Sequence, residues 1–269
     1  MYQQKLFNEF SQIDVSFDFT TDTKGYWDSF HSCDPGMLCR GGPDPDMASR
    51  TLRRYHRILW SRDLPNGEHM ELVEASRMDH YLLWNQNRFG SDSITNSFRY
   101  SSMQPIISEY RKEFEDYGQF MEDYMRRMYT IGGMIIFPKP YKGENGRRTQ
   151  TMNQARGRRV GPIRDRWDRT LECIRLYYLG KKSPLFDVIH DDSWFFDKFI
   201  DFQGYVDFFF LQDCVSSDYS EVIPWIGDVG FDTPALPRDV DEYRSWIQVS
   251  TSFVENRNKR IQGFIESYI

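Results

Sequence analysis

Between Lys139 and Arg169 the chain carries ten basic residues, eight of them arginine, against three acidic ones, in a protein whose net charge is −6. A segment this basic in an acidic chain attracts phosphates or an acidic partner, and arginine's planar fork suits bidentate contacts to phosphate oxygens. Within it, Asn153, Gln154, Arg156, Arg158, Arg159, Arg164 and Arg169 are the candidate ligand-binding residues. Amide donors and a flexible Gly157 precede a helix expected from Pro162, and the first N–H groups of a helix are unpaired and favour anions. The expected ligand is a nucleic acid or nucleotide. An acidic protein surface, met by a non-enzymatic interaction module or homo-oligomer, is the alternative, and a merely solvated or internally paired charge run explains the same residues.

Asp165, Asp168 and Glu172 follow at i, i+3 and i+7, which on a helix places them within about 60° of one another. That face lies opposite Ile163, Trp167 and Ile174. Three converging carboxylates would hold a divalent cation, Mg²⁺ or Mn²⁺, or supply a general base for attack on a phosphodiester, with neighbouring arginines steadying the phosphate. These three are therefore the candidate catalytic and metal-binding residues. A polar face is also what any surface helix presents, with Asp165 and Arg169 as an ordinary i, i+4 pair. The GxxxxGK[ST] and GxGxxG spacings are missing, so ATP or NAD use gains no support. His31, Cys33, Cys39 and His56 lack the CxxC or HExxH spacing of a zinc site, and no GxSxG elbow is present.

The elements that must position these residues are helix-rich. Leu52, Tyr55 and Leu59 recur at helical spacing after a Ser49 N-cap, and Pro65-Asn66-Gly67 forces a turn. His69 to Glu74 and Tyr81 to Asn85 read as short strands. Ile106 to Met128 keeps its apolar residues on one helical face, and Tyr129 to Phe137 reads as a strand with glycines at a bulge. Helices are expected over Pro162 to Gly180, Ser193 to Phe202 and Tyr205 to Val215. Val240, Ile247, Val254, Ile261 and Tyr268, seven apart, mark one long closing helix. The expected fold class is α+β: a helix-rich single domain over 49–269, with a small β-sheet and a long C-terminal helix, preceded by an irregular arm over 1–48.

Several words of the sequence are more specific. Thr130-Ile-Gly-Gly-Met-Ile-Ile-Phe-Pro138, Asn153-Gln-Ala-Arg-Gly157, Asp165-Arg-Trp-Asp168 leading into Thr170-Leu-Glu-Cys-Ile-Arg175, and Gly204-Tyr-Val-Asp-Phe-Phe-Phe-Leu-Gln-Asp213 stand out. With Thr51 to Trp60, Leu64 to Gly67 and Ser183 to Leu185, these resemble an uncharacterised bacterial family of unknown function, across roughly residues 50 to 260. The resemblance implies no activity, cofactor or catalytic residue. Arg257-Asn258 resembles the ribonuclease motif of helical HEPN toxins, yet no histidine follows Arg257, so the pattern departs at its essential base. The amino terminus has no unbroken apolar run, no stretch approaches a spanning length, and the 4 cysteines are few, so a cytoplasmic, reduced protein with no membrane contact is expected.

Overall fold

The computed structural model describes residues 8–23, 26, 44–75, 80–95, 106, 108–109, 112, 117–139, 151–158 and 165–268. In chain order it comprises helix α1 (Pro45–Ala48), α2 (Arg50–Trp60), strands β1 (Val73–Glu74), β2 (Leu82–Trp84) and β3 (Asn87–Ser93), α3 (Tyr117–Met128), β4 (Met134–Pro138), α4 (Met152–Arg158), α5 (Trp167–Tyr178), α6 (Phe186–Asp191), α7 (Ser193–Phe196), α8 (Phe202–Phe208) and α9 (Val240–Glu266). The four strands form one antiparallel sheet in the order β1-β2-β3-β4. The fold is α+β. Among the described residues no helix is long and apolar enough to cross a membrane.

Local chemistry explains most boundaries. Ser49 accepts the Leu52 N–H at 3.0 Å and starts α2, while Asp239 accepts the Glu242 N–H at 2.8 Å and starts α9. β2 and β3 are joined by Asn85-Gln86, both at positive φ (47° and 66°), a primed turn whose twist matches a hairpin. β3 is absent from the sequence-based reading because Asn-Arg-Phe-Gly-Ser-Asp-Ser carries no apolar alternation. It is held by five residue pairs with β4, from Phe89 opposite Pro138 to Ser93 opposite Met134.

The strand expected over Tyr129 to Phe137 starts later, at Met134, because Ile131–Gly133 forms a 3₁₀ turn. The two glycines serve close approach and not a bulge. A Cβ on Gly133 would lie 1.9 Å from the Met128 carbonyl oxygen, and one on Gly132 would lie 2.3 Å from that of Val254. α9 docks on this turn: Asn258 Oδ1 accepts the Gly132 N–H at 2.6 Å, and the fully buried Arg257 donates to the carbonyls of Gly132 (2.7 Å) and Met134 (2.8 Å). Arg257-Asn258 is thus a structural clamp.

The two aromatic helices expected over Ser193 to Phe202 and Tyr205 to Val215 are instead broken at Ile200, which sits at φ 70°, and at Asp201, whose carboxylate caps α8 by accepting the Gly204 N–H at 2.8 Å. Phe208 and Phe209 pack there against Trp60, and Phe195, Phe199 and Tyr205 continue the same cluster, with neighbouring ring centroids 5.0 to 5.9 Å apart. One hydrophobic cluster runs from Phe10 to Ile265.

Candidate functional site

The helix expected from Pro162 starts at Trp167, so Asp165 lies ahead of it and shares no helical face with Asp168 and Glu172. All three carboxylates are buried, contrary to the solvent-facing array expected from the spacing. Asp168 accepts from Arg166 Nε (2.9 Å) and Nη2 (2.7 Å) and from the Trp225 backbone N–H (2.9 Å). Glu172 accepts from Arg175 Nε (2.7 Å) and Nη2 (2.8 Å). Among the described residues no group of three or more His, Cys, Asp or Glu side chains is placed to hold a metal ion.

Arg156, Arg166 and Arg169 turn inward for a physical reason. The chain from Val215 to Arg238 crosses the protein with no regular element beyond a single β-bridge, and buried carbonyls outside a ladder need donors. Arg166 donates to the carbonyls of Ile226 and Asp228, each at 2.8 Å, and Arg169 to those of Thr233 (2.9 Å) and Pro234 (3.0 Å). Arg156 joins α4 to β3 and α5, pairing with Asp92 at 2.8 Å and donating to the Ser93 (3.0 Å) and Ile94 (2.9 Å) carbonyls and to Thr170 Oγ1 (3.1 Å). Asn153 donates to Asp92, and Gln154 Oε1 accepts the Thr151 N–H at 3.2 Å. Of the predicted ligand-binding residues, Arg156 and Arg169 are therefore structural donors. The Arg158 side chain, Arg159 and Arg164 lie outside the described residues, as do His31, Cys33 and Cys39.

A second polar array, not foreseen from spacing, links His56, Ser91 and Asp46. His56 Nε2 is 3.0 Å from Ser91 Oγ, which donates to Asp46 Oδ1 at 3.2 Å. This resembles a serine–histidine–aspartate relay only in composition. Trp60 Nε1–H donates to His56 Nδ1 at 2.8 Å, so the ring's lone pair is used there and Nε2 carries the proton toward Ser91. The imidazole has no free lone pair with which to take a proton from Ser91. Burial and the charge of Arg257 push its pKa down to about 3. Burial, with the charges of Asp44 and Asp92, pushes the Asp46 carboxyl well above the usual range.

The remaining feature is a cavity of about 1240 Å³ between the loop after α2, the break before α8, and the end of α9. Arg62 stands in its wall, with its guanidinium carbon 4.2 Å from the Phe208 ring centroid, 4.6 Å from Phe264 and 4.7 Å from Phe210. It donates to the Phe208 carbonyl through Nη2, while Nε is buried with no acceptor. No carboxylate among the described residues pairs with it, and burial lowers its pKa to about 10. Leu64, Pro65, Phe199 and Phe264 supply apolar wall, and two exposed apolar residues, Ile200 (64%) and Tyr268 (45%), stand at the lip. A β-branched residue at positive φ is a rare, strained conformation of the kind that clusters at functional sites.

A model of a family of unknown function, DUF6994, spans residues 13–261. The chain belongs to that family. No curated protein and no solved structure matches the chain. Arg62, Phe208 and Phe210 fall inside the matched span, whereas Phe10, Phe264 and Tyr268, which complete the cavity wall, fall outside it. The cavity had no spacing signal, since its parts come from positions some 200 residues apart. The one available cue was Leu64-Pro-Asn-Gly67, a rigid turn that begins two residues after Arg62.

Proposed function

We propose that this protein binds a small anionic ligand in the cavity beside Arg62, with the ligand's apolar body against Phe208, Phe264 and Pro65. One observation carries the reading: a guanidinium in the cavity wall, enclosed by aromatic rings and with no carboxylate partner among the described residues. Such a group is a ready partner for an incoming carboxylate or phosphate, because a charge-assisted bond made out of water is stronger than one made in it. The anionic ligand expected from composition is retained, but moved from the basic segment to the cavity.

Thermal shift with aryl-alkyl carboxylates and phosphate monoesters tests this. A ligand at 100 times its Kd stabilises the folded state by about 2.7 kcal/mol, an effect that Arg62→Gln should abolish. A panel without any shift, or equal shifts in wild type and Arg62→Gln, overturns the proposal. The proposal of a nucleic acid or nucleotide partner now rests on Arg158, Arg159 and Arg164. Fluorescence anisotropy with RNA, single-stranded DNA and duplex DNA, with and without Mg²⁺, addresses it, and binding to an acidic protein alone would favour the interaction-module reading.

A further inference from the structure

The cavity that holds Arg62 is acidic at its lip. Among the described residues lining it, Arg62 is the cation and Asp63, Asp201 and Asp207 are carboxylates. Asp207 is held by neutral donors, accepting from the Tyr219 hydroxyl at 2.7 Å and Gln212 Nε2 at 2.9 Å. Asp201 accepts the Gly204 backbone N–H, and among the described residues no cation forms an ion pair with it. Asp63 faces His69 Nδ1 at 2.7 Å, and both side chains are exposed. In a chain of net charge −6 such a lip favours, over a simple anion, a molecule with separated charges of both signs, which is matched at each end.

Pockets for drug-sized ligands run to about 300–1,000 Å³, so this cavity, at about 1240 Å³, has room for a short peptide. Resting on the anion-binding reading above, we infer that the cavity takes a short peptide with free termini and an apolar C-terminal residue. Its C-terminal carboxylate meets Arg62, the last side chain packs on Phe208 and Phe264, and the N-terminal ammonium meets Asp201 and Asp207 at the lip. Capture of a terminal carboxylate and of a terminal amine are both established modes of peptide recognition.

The test is calorimetric titration of the full chain with four probes: the tripeptide Ala-Ala-Phe, its C-terminal amide, its N-acetyl form, and 3-phenylpropionate. The free tripeptide should bind tightest, with amidation and acetylation each weakening it by about tenfold or more, since each removes one charged contact worth at least about 1.4 kcal/mol. Asp201→Asn and Asp207→Asn should each narrow the gap between the free and acetylated peptides while leaving the amide no better bound. Asparagine can still accept the Gly204 and Tyr219 hydrogen bonds, so the variants keep the local fold, which far-UV circular dichroism checks. If acetylation changes nothing, or 3-phenylpropionate binds as tightly as the tripeptide, the peptide assignment falls while the anion site at Arg62 stands. If none of the four probes binds, the peptide assignment falls together with the carboxylate form of the anion reading.

Discussion

Acidification should unfold this protein partly through a single residue, His56. Its ring is about 1% exposed, accepts from Trp60 at Nδ1 and donates to Ser91 from Nε2. A second proton would have to sit on Nδ1, facing the indole N–H, so two donors would oppose each other in a buried site beside the charge of Arg257. The pKa is accordingly pushed from 6.5 to about 3. The unfolded chain binds this proton below pH 6.5 and the native protein does not until about pH 3, so the stabilisation is complete above 6.5 and is lost as pH falls. At about 1.4 kcal/mol per pH unit, the loss reaches about 2 kcal/mol at pH 5 and at most about 5 kcal/mol near pH 3. Urea denaturation of wild type and His56→Asn at pH 7, 6 and 5 isolates the term, because carboxylate contributions common to both proteins cancel. Asparagine keeps an acceptor for Trp60 but does not titrate. The variant should be less stable at pH 7, and the gap should close by about 2 kcal/mol at pH 5. A gap that stays constant, or a native imidazole that titrates near 6.5 by NMR, refutes the reasoning.

Other perturbations separate structural from surface roles. Asp168→Asn should lower stability by about 3 kcal/mol or more in urea melts, because it leaves the buried Arg166 guanidinium uncompensated. Two glycines should respond with opposite sign. Gly133→Ala drives a Cβ into the Met128 carbonyl and should cost about 3 kcal/mol or more, whereas Gly263→Ala, on α9 with nothing within 4 Å of the new methyl, should stabilise by about 0.5–1 kcal/mol. Burial pushes the Cys173 thiol up to about 12 and Cys214 well above its usual range, so mass-spectrometric mapping at pH 8 should find both unmodified by a thiol reagent until the protein is unfolded.

What was legible in the sequence was local. The Ser49 cap and the 3-and-4 spacing of Leu52, Tyr55 and Leu59 place the start of α2, and the seven-residue recurrence from Val240 places α9, because helices are specified by contacts three and four residues apart. The α+β class followed from the same patterns together with the apolar run Met134 to Phe137. β3 escaped because its polar strand is specified by its partner β4, more than 40 residues away. The break at Ile200 and Asp201 escaped because an aromatic run carries no mark of where its helix must turn.

For the candidate site, the sequence by itself determined that arginines and carboxylates are concentrated between Lys139 and Arg169, and nothing about which way they face. Their direction was decided by tertiary structure: Arg166 and Arg169 meet carbonyls about 60 residues downstream, and Arg156 meets Asp92 about 60 residues upstream. A buried guanidinium is tolerable only where acceptors surround it, and those acceptors come from backbone whose position no local spacing records. Arg62 shows the converse. Beyond the turn that follows it nothing in its spacing marks it, yet the fold surrounds it with rings from Phe208, Phe210 and Phe264 and sets it in the wall of the cavity.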